Sequence, residues 1–329
     1  MALKPGGFIP VVHAATRERP DEIDTLLAAE AVACALGELG FATEIVAVDL
    51  DLNHFHALKR LDPLLVFNLV DAVRGDGRLA LVIPSLLDAV GLPYTGAHSD
   101  AWLETLSKVA TKLKLEREGL PTPRFSVNGA GLDPDAPYIV KAVWEHGSLG
   151  LDEGSVVKGA EVARVIADRT DRFGTEHFAE SFVEGREFNL SLLEERGRAT
   201  VLPIAEILFE DWREGRPHIV GYDAKWTSSS EAYIGTPRRF GLETTEPALA
   251  AELEKLANSS WDLFGLAGYA RVDFRVDREG KPWILEVNVN PCLNPDAGFA
   301  AAAAEACFSY RDLIGGIIDA APRALPAIA

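Results

Sequence analysis

The sequence predicts an α/β protein in three units, a small N-terminal open sheet followed by two α+β units. Helical and β-type segments alternate over residues 1–97, the alternation resumes over residues 98–185, and four β-type runs with two long helical patterns occupy residues 186–329. Such alternation is typical of layered α/β folds. The length of 329 residues is enough for two or three compact units.

The elements of the first unit follow from periodicity and from residues that stop helices. Apolar positions recur at helical spacing after Asp21, and Gly40 and Gly91 stand where helices should end. The predicted elements are strands at Phe8 to His13, Thr43 to Val48 and Leu64 to Leu69, and helices at Asp21 to Leu39 and Leu79 to Val90.

The same patterns define the other two units. The second has predicted helices at Glu104 to Glu118 and Ala160 to Thr170, and strands at Tyr138 to Val143 and His177 to Val183. The third has predicted strands at Phe188 to Leu193, Ala199 to Leu208, Ala270 to Val276 and Trp283 to Val287, and helices at Pro247 to Phe264 and Phe299 to Ala320. Residues 209–240 are polar and without a clear pattern. Because a loop of that length is uncommon unless it closes over something, it predicts a lid.

The charge balance and the cysteines limit the partners and the compartment. Lys and Arg total 32 against 50 Asp and Glu, a formal charge of −18, so no net field attracts nucleic acid or an anionic membrane. The three cysteines form no CxxC pair, and no apolar run approaches the roughly 20 residues of a membrane helix. We therefore expect a cytoplasmic protein without nucleic-acid or membrane partners. The oligomeric state stays open, with a homodimer as one alternative.

Common signatures of nucleotide, hydrolase and calcium sites are missing. The sequence contains no GxxxxGK[ST], no GxGxxG after a strand, no GxSxG and no HExxH. The stretch from Asp49 to Asn53 resembles the start of a calcium loop, but His54 stands where glycine is required and Arg60 where glutamate is required. A nucleotide site, if present, must therefore be of another type.

A predicted hairpin in the third unit is the strongest candidate for chemistry. A tight turn joins two strands and places Asp273 and Glu286 opposite each other. Strand alternation sends Arg271 and Asn288 to the same face. Carboxylate and amide oxygens suit Mg²⁺, which would also hold phosphate oxygens. The alternative is a solvated face on which acids and arginine simply pair. The apolar neighbours and the Asn-Pro turn that follows make the metal site an equal alternative, and on these residues alone both stay open.

Two further clusters would suit a nucleotide. Lys141 closes a β-type run and precedes a Gly/Ser loop with Ser148, so that an ammonium group and loop N–H groups could hold phosphates. The segment from Glu180 to Glu187 places acids around an apolar step, where backbone groups could hold the edge of a purine. Taken singly, these are better explained as a surface lysine beside a loop and as a strand end with a charged turn.

In this order and spacing the pieces resemble the D-alanine–D-alanine ligase branch of the ATP-grasp superfamily. The resemblance covers most of the chain and is carried by Gly75 to Gly77, Gly91 to Gly96, Lys108, Gly119 to Pro123, Lys141 with its loop, Glu180 to Glu187 and Arg271 to Pro291. It implies an ATP-grasp fold, with a pre-ATP-grasp domain over residues 1–97, a central subdomain over 98–185 and a C-terminal subdomain over 186–329 whose lid lies around 209–240.

The resemblance also implies a role for each candidate residue. The ATP-binding set would be Lys108, Lys141 and Ser148 at the phosphates, Glu180 at the adenine amine, Phe182 and Val183 at the adenine edge, and Glu187 at the ribose. The metal set would be Asp273, Glu286 and Asn288, holding two Mg²⁺ ions, with Mn²⁺ as an alternative. The catalytic pair would be Arg271, which steadies the transferred phosphoryl group and the later oxyanion, and Lys225 of the lid, which reaches the γ-phosphate.

The amino-acid half of the site departs from the family pattern. The segment His13 to Glu18 replaces a Gly-Gly-x-Ser…Glu stretch that binds the first ammonium group, and Val70 with Asp71 replaces a histidine. Gly147 and Trp226 replace a Ser/Tyr pair, and Cys292 to Ala297 replaces Gly-Met-Thr and a substrate-binding serine. The nucleotide half is therefore kept, and the acceptor half is rewritten.

These features imply an ATP-dependent carboxylate–amine ligase that works through an acyl phosphate on small-molecule carboxylate and amine substrates. The rewritten half predicts an amino-acid or peptide-like substrate other than D-alanine. The alternatives that stay open are D-alanine–D-alanine ligase itself, a thiol acceptor, a kinase-like enzyme that stops at phosphorylation, and a catalytically reduced nucleotide-binding protein that acts as a regulator or partner subunit.

Overall fold

The computed structural model describes residues 6–15, 20–145 and 147–321 of the chain. Its N-terminal part is a small parallel sheet with helices. Its elements are β1 (Val11–Ala14), α1 (Pro20–Glu38), β2 (Ile45–Val48), α2 (Leu52–Arg60), β3 (Phe67–Asn68) and α3 (Val82–Val90). The strand order is β2–β1–β3. Helix α3 ends at Gly91, whose φ of 70° is left-handed and favours glycine, as predicted. Helix α2 was not predicted; it begins where the Asp51 side chain accepts a hydrogen bond from the Asn53 N–H.

The central part is a four-stranded antiparallel sheet in the order β4–β7–β5–β6. Its elements are α4 (Ser99–Thr105), α5 (Lys108–Arg117), β4 (Phe125–Ser126), β5 (Pro137–Ala142), β6 (Val156–Lys158), α6 (Gly159–Phe173) and β7 (His177–Ser181). The prediction of a single helix from Glu104 to Glu118 is wrong. The chain breaks it because Ser107 has extended backbone, and its side chain caps α5 by accepting from the Ala110 N–H.

The C-terminal part is a larger sheet in the order β11–β10–β8–β12–β13, with β9 also paired to β8. Its elements are β8 (Gly185–Glu195), β9 (Arg198–Val201), β10 (Ala205–Ile207), α7 (Tyr222–Trp226), α8 (Glu231–Ile234), β11 (Arg238–Arg239), α9 (Leu242–Thr245), α10 (Pro247–Phe264), β12 (Tyr269–Asp277), β13 (Pro282–Asn288), α11 (Gly298–Glu305) and α12 (Tyr310–Ala320). Within residues 209–240 the chain therefore forms α7, α8 and β11 instead of an unstructured loop.

Two long elements predicted for this part are interrupted. The predicted strand from Ala199 to Leu208 is two strands, since Pro203 between them has no N–H for the sheet. The predicted helix from Phe299 to Ala320 is two helices, because Cys307 takes a left-handed φ of 65° and Ser309 starts a new capping box with Asp312.

The N-terminal and C-terminal parts share an apolar core. Its members come from α1 and β1 and from α11 and α12, and include Val32, Leu36, Phe299 and Ile314. Helix α1 is therefore packed against α11 and α12, and the same core also includes Leu193 of β8 and Tyr269 of β12. The three sheets span residues 11–68, 125–181 and 185–288, whereas the exact domain boundaries remain predictions. Among the residues described, no helix is long and apolar enough to cross a bilayer.

Candidate active site

Strands β12 and β13 bring the predicted metal ligands together. In their antiparallel register Asp273 lies opposite Glu286, and Arg271 lies opposite Asn288. The predicted shared face is therefore confirmed. The register shifts by a bulge directly after Asp273, so the regular ladder is interrupted beside the Asp273–Glu286 pair.

The Arg271 guanidinium is bound to Asp273 at two points. Nε lies 2.7 Å from Oδ1 and Nη2 lies 2.9 Å from Oδ2. The Asn189 amide donates a further hydrogen bond of 2.9 Å to Oδ1. Burial would lower the pKa of Arg271, but the Asp273 carboxylate outweighs it and raises that pKa. Because bidentate pairs fix orientation, both side chains are held in one arrangement.

A cleft, here named the nucleotide cleft after the predicted role of its lining residues, is lined by both the central and the C-terminal sheets. The predicted site residues that line it are Lys108, Lys141, Ser148, Glu180, Phe182, Val183, Glu187, Lys225, Asp273 and Glu286. Ile139 and Leu285 add apolar surface that suits a planar base. Arg271 and Asn288 line a second cavity instead. The structure thus collects the nucleotide-binding candidates in one place.

Lys108 connects a predicted phosphate ligand to a predicted metal ligand. It is the first residue of α5 and is 7% exposed. Its Nζ donates to the Glu145 backbone carbonyl and lies 3.3 Å from Glu286 Oε2. The cation predicted to contact phosphate and the carboxylate predicted to bind metal are therefore adjacent and partly neutralise each other.

Glu180 lies between two lysines at the floor of the cleft. Oε1 is 2.6 Å from Lys141 Nζ, and Oε2 is 2.5 Å from Lys112 Nζ. Sequence reasoning missed Lys112, although its position four residues after Lys108 on one helix predicts that both lysines lie on the same face. The carboxylate predicted to bind the adenine amine is therefore also the counter-ion of two ammonium groups.

Arg275 is a second residue that sequence reasoning missed. It is 4% exposed, and its Nη2 lies 2.8 Å from Glu187, the carboxylate predicted to bind ribose. Its guanidinium also lies 5.8 Å from the centre of the Phe182 ring. The sequence did contain a signal for Arg275, because it lies two residues after Asp273 in β12. Strand alternation places two such side chains on the same face of the sheet.

The predicted lid lies on the Gly/Ser loop. Ser148 Oγ donates to the Val220 carbonyl at 3.1 Å, and Trp226 Nε1 donates to the Gly147 carbonyl at 2.7 Å. Lys225 lies in α7 between these contacts and lines both cavities. Burial, with repulsion from Arg271, lowers the pKa of Lys225. His146 of the same loop lies outside the described residues.

The second cavity, here named the acceptor chamber, is lined by Arg271 and Asn288 and not by most of the nucleotide-binding candidates. It shares Glu187, Lys225 and Asp273 with the nucleotide cleft, so the two cavities adjoin. Its remaining polar lining comes from separate parts of the chain, namely Asp24, Asp71, Trp102, Asn189, Trp226, Tyr233, Thr236, Arg238, Arg271, Asn288, Asn290, Cys292 and Asp296.

Asp24 of α1 ties the N-terminal part to the loop after β13. One carboxylate oxygen accepts from Cys292 Sγ at 2.9 Å, and the other accepts from the Asn294 amide at 2.7 Å. Burial together with Asp24 raises the pKa of the Cys292 thiol. His13, in the segment that departs from the family pattern, is buried and bonds the Ala14 carbonyl. Residues 16–18 of that segment lie outside the described part of the chain.

Comparisons with known proteins bear on this arrangement. Residues 133–319 match the family model described as D-ala D-ala ligase C-terminus. The D-alanine–D-alanine ligase of Moorella thermoacetica is 30% identical, over 90% of this chain and 94% of its own. The protein y4sG of Sinorhizobium fredii is 31% identical, over 90% of this chain and 87% of its own. The D-alanine–D-alanine ligase of Bacillus anthracis has the same fold, with a TM-score of 0.75 at 17% identity over 96% of this chain and 97% of its own.

The chain belongs to the D-alanine–D-alanine ligase family. This membership confirms the predicted ATP-grasp fold and the predicted enzyme class, an ATP-dependent ligase that forms C–N bonds. The individual roles of the candidate residues stay predictions.

Several family positions that the sequence marked as changed line the acceptor chamber, namely Asp71, Gly147, Trp226, Cys292, Asp296 and Ala297. Gly147 and Trp226 face each other, since a Cβ on Gly147 would lie 3.6 Å from the indole ring. Ala297, at the end of the segment that replaces the family's substrate-binding serine, lines the chamber and is the N-cap of α11 without a side-chain hydrogen bond. The nucleotide cleft contains no such replacement among the predicted site residues.

Proposed function

We propose that the protein is an ATP- and Mg²⁺-dependent carboxylate–amine ligase whose acceptor is an amino acid or peptide-like molecule other than D-alanine. The observation that carries the proposal is that a nucleotide cleft and an acceptor chamber adjoin at Glu187, Lys225 and Asp273. A phosphoryl group can pass directly from one cavity to the other at such a junction.

The side chains on β12 and β13 fit Mg²⁺. They supply two carboxylates and one amide, and the described residues contain no group of three or more His, Cys, Asp or Glu side chains arranged for a metal. The chain would therefore leave coordination positions for phosphate oxygens and water, as Mg²⁺ sites usually do. Two ions, or Mn²⁺ in their place, belong to this proposal. The metal would neutralise charge on the triphosphate.

The reaction follows from the arrangement of the cations. A substrate carboxylate oxygen bonds to the γ-phosphorus as the bond to ADP breaks, while Lys108, Lys141 and Lys225 balance the phosphate charge. The amine then attacks the acyl phosphate carbonyl, and inorganic phosphate leaves. Arg271, held by Asp273, would stabilise the tetrahedral oxyanion.

The acceptor chamber supports a different substrate. The family's Ser/Tyr pair is a Gly147–Trp226 contact, which removes two hydroxyls and adds an apolar ring. Arg238 faces the chamber, and its guanidinium donates to the Asp296 carbonyl at 3.1 Å without a carboxylate partner among the described residues. Gly298 lies beside it, since a Cβ there would be in contact with Nε at 3.4 Å. Arg238 would bind the carboxylate of the acceptor.

The test is ADP release over a panel of D- and L-amino acids, dipeptides and hydroxy acids, with the amide product identified by mass spectrometry. We expect ADP, phosphate and an amide with at least one carboxylate-bearing acceptor, and little ADP with D-alanine alone. Robust D-alanyl-D-alanine synthesis would show that the protein is a D-alanine–D-alanine ligase and would refute the proposed change of acceptor. A stable phosphoester would show a kinase instead, and nucleotide binding without turnover would favour a regulatory protein.

A further inference from the structure

Lys112 is a buried lysine for which the proposed reaction has no use. It lies on α5, is 1% exposed, and is absent from the lining of the nucleotide cleft. Lysine is almost never fully buried unless it is paired. Its partners therefore indicate its role.

The Lys112 ammonium is fixed from two sides. It lies 2.5 Å from Glu180 Oε2 and donates to Thr122 Oγ1 at 2.8 Å. The Thr122 hydroxyl in turn donates to the Ile284 carbonyl at 2.8 Å. Ile284 lies on β13, two residues before Glu286. Lys112 thus joins the floor of the cleft to the strand that carries a predicted metal ligand.

Lys141 holds the opposite oxygen of the same carboxylate, but its surroundings differ. Its Nζ lies 2.6 Å from Glu180 Oε1, its side chain is 16% exposed, and it lines the cleft. Glu180 therefore has one partner that faces the ligand space and one, Lys112, that is enclosed behind it.

This arrangement decides what happens when a phosphate attracts Lys141. The Glu180 side chain is 1% exposed, and a buried charge that loses its partner is strongly unfavourable. With Lys112 in place, Glu180 stays paired after Lys141 moves. Burial alone would raise the pKa of Glu180, but the two ammonium groups outweigh it and hold that pKa below its ordinary value.

We propose that Lys112 is a positioning residue that keeps Glu180 paired, so that Lys141 is released to the phosphates of the nucleotide. This inference rests on the proposed function, in which Lys141 contacts ATP. Lys112 would thus raise the affinity for the triphosphate through Glu180 and Lys141, without contacting the triphosphate itself.

The experiment compares the affinities of the wild type and of Lys112→Met for Mg·ATP and for adenosine by titration calorimetry. In Lys112→Met, Glu180 would retain Lys141, so the ratio of ATP affinity to adenosine affinity should fall by about tenfold to a hundredfold, the effect of one charge-assisted hydrogen bond. An equal loss for both ligands would show a merely structural role and would overturn the inference. Failure of the wild type to bind Mg·ATP would instead refute the proposed function.

Lys114→Met is the matched control. Lys114 lies on the same helix but pairs with Glu104, and its side chain is 30% exposed, so both affinities should stay unchanged. A second pair of variants decides the question if Lys112→Met does not fold. In Glu180→Gln, Lys141 is released whether or not Lys112 is present, so adding Lys112→Met should leave the affinity ratio unchanged. A lower ratio in that double variant would overturn the inference.

Discussion

The nucleotide cleft and the acceptor chamber adjoin, yet they differ in how their cations are paired. In the cleft, cations are matched with carboxylates of the same site, as in the pairs Lys108–Glu286, Lys141–Glu180 and Arg275–Glu187. In the chamber, Arg271 is likewise paired with Asp273, but Arg238 has no carboxylate partner among the described residues. The difference indicates that a nucleotide must exchange existing ion pairs, whereas a carboxylate-bearing acceptor would supply a missing partner.

The two regions also differ in how they are assembled. In the cleft, Lys141, Glu180, Asp273 and Glu286 lie on β5, β7, β12 and β13, whose registers fix their positions. The chamber gathers Asp24, Asp71, Arg238 and Cys292 from α1, from a loop, from the short strand β11 and from the segment after β13. Changes in the chamber can therefore alter the substrate without disturbing the sheets that hold the nucleotide.

The largest expected effect tests the paired charges of the cleft. Glu286→Gln keeps the size of the side chain but removes a predicted metal ligand, so turnover should fall by about 10²–10³, typical of losing one strong electrostatic contact. The unfolding temperature should change little. Coupled ADP release and thermal unfolding measure the two quantities.

Glu279→Gln is the control for this variant. Glu279 is exposed in the turn of the same hairpin, so its substitution removes an equal charge from outside the cleft. We expect its turnover to stay at the wild-type level. A folded and fully active Glu286→Gln variant would show that this carboxylate belongs to a solvated face.

The second prediction concerns binding to the cleft as a whole. Mg·ATP or Mg·ADP at 100 times its dissociation constant should raise the free energy of unfolding by about 2.7 kcal/mol, because the ligand binds only the folded state. Removal of Mg²⁺ with a chelator should reduce this increase, since the phosphates would lose their counter-ion. If saturating nucleotide and metal leave the unfolding temperature unchanged, the claim that the cleft binds a magnesium nucleotide is refuted.

The third prediction tests the unmatched cation of the chamber. Arg238→Gln should raise the KM of a carboxylate-bearing acceptor by about tenfold to a hundredfold, the effect of one hydrogen bond to a charged group, while the affinity for Mg·ATP stays unchanged. Arg239→Gln is the matched control, because Arg239 is the next residue and pairs with Glu206 instead. Equal KM values in the two variants would contradict the proposed role of Arg238.

The contrast also explains how much of the site could be predicted from sequence. The hairpin of β12 and β13 was predictable because one turn and strand alternation fix the Asp273–Glu286 pair locally. The Asp24–Cys292 contact joins residues 268 positions apart, and no local pattern encodes such a pairing. The breaks at Ser107 and Pro203 did have local signals, a capping serine and a proline within a strand. The prediction missed them because it relied on hydrophobic periodicity alone.

The smallest expected effect concerns the lid, which forms the boundary between the two regions. Trp226→Phe keeps an aromatic ring but removes the indole N–H that bonds the Gly147 carbonyl at 2.7 Å. One neutral hydrogen bond contributes about 0.5–1.5 kcal/mol, so kcat/KM should fall about two- to twelvefold. Trp212→Phe is the matched control, since its indole donates to the Pro217 carbonyl within the lid segment itself and not to the Gly/Ser loop. If both variants lose the same activity, the Gly147–Trp226 contact has no special part in closing the lid. If only Trp226→Phe loses activity, the lid is held at the place where this chain departs from its family.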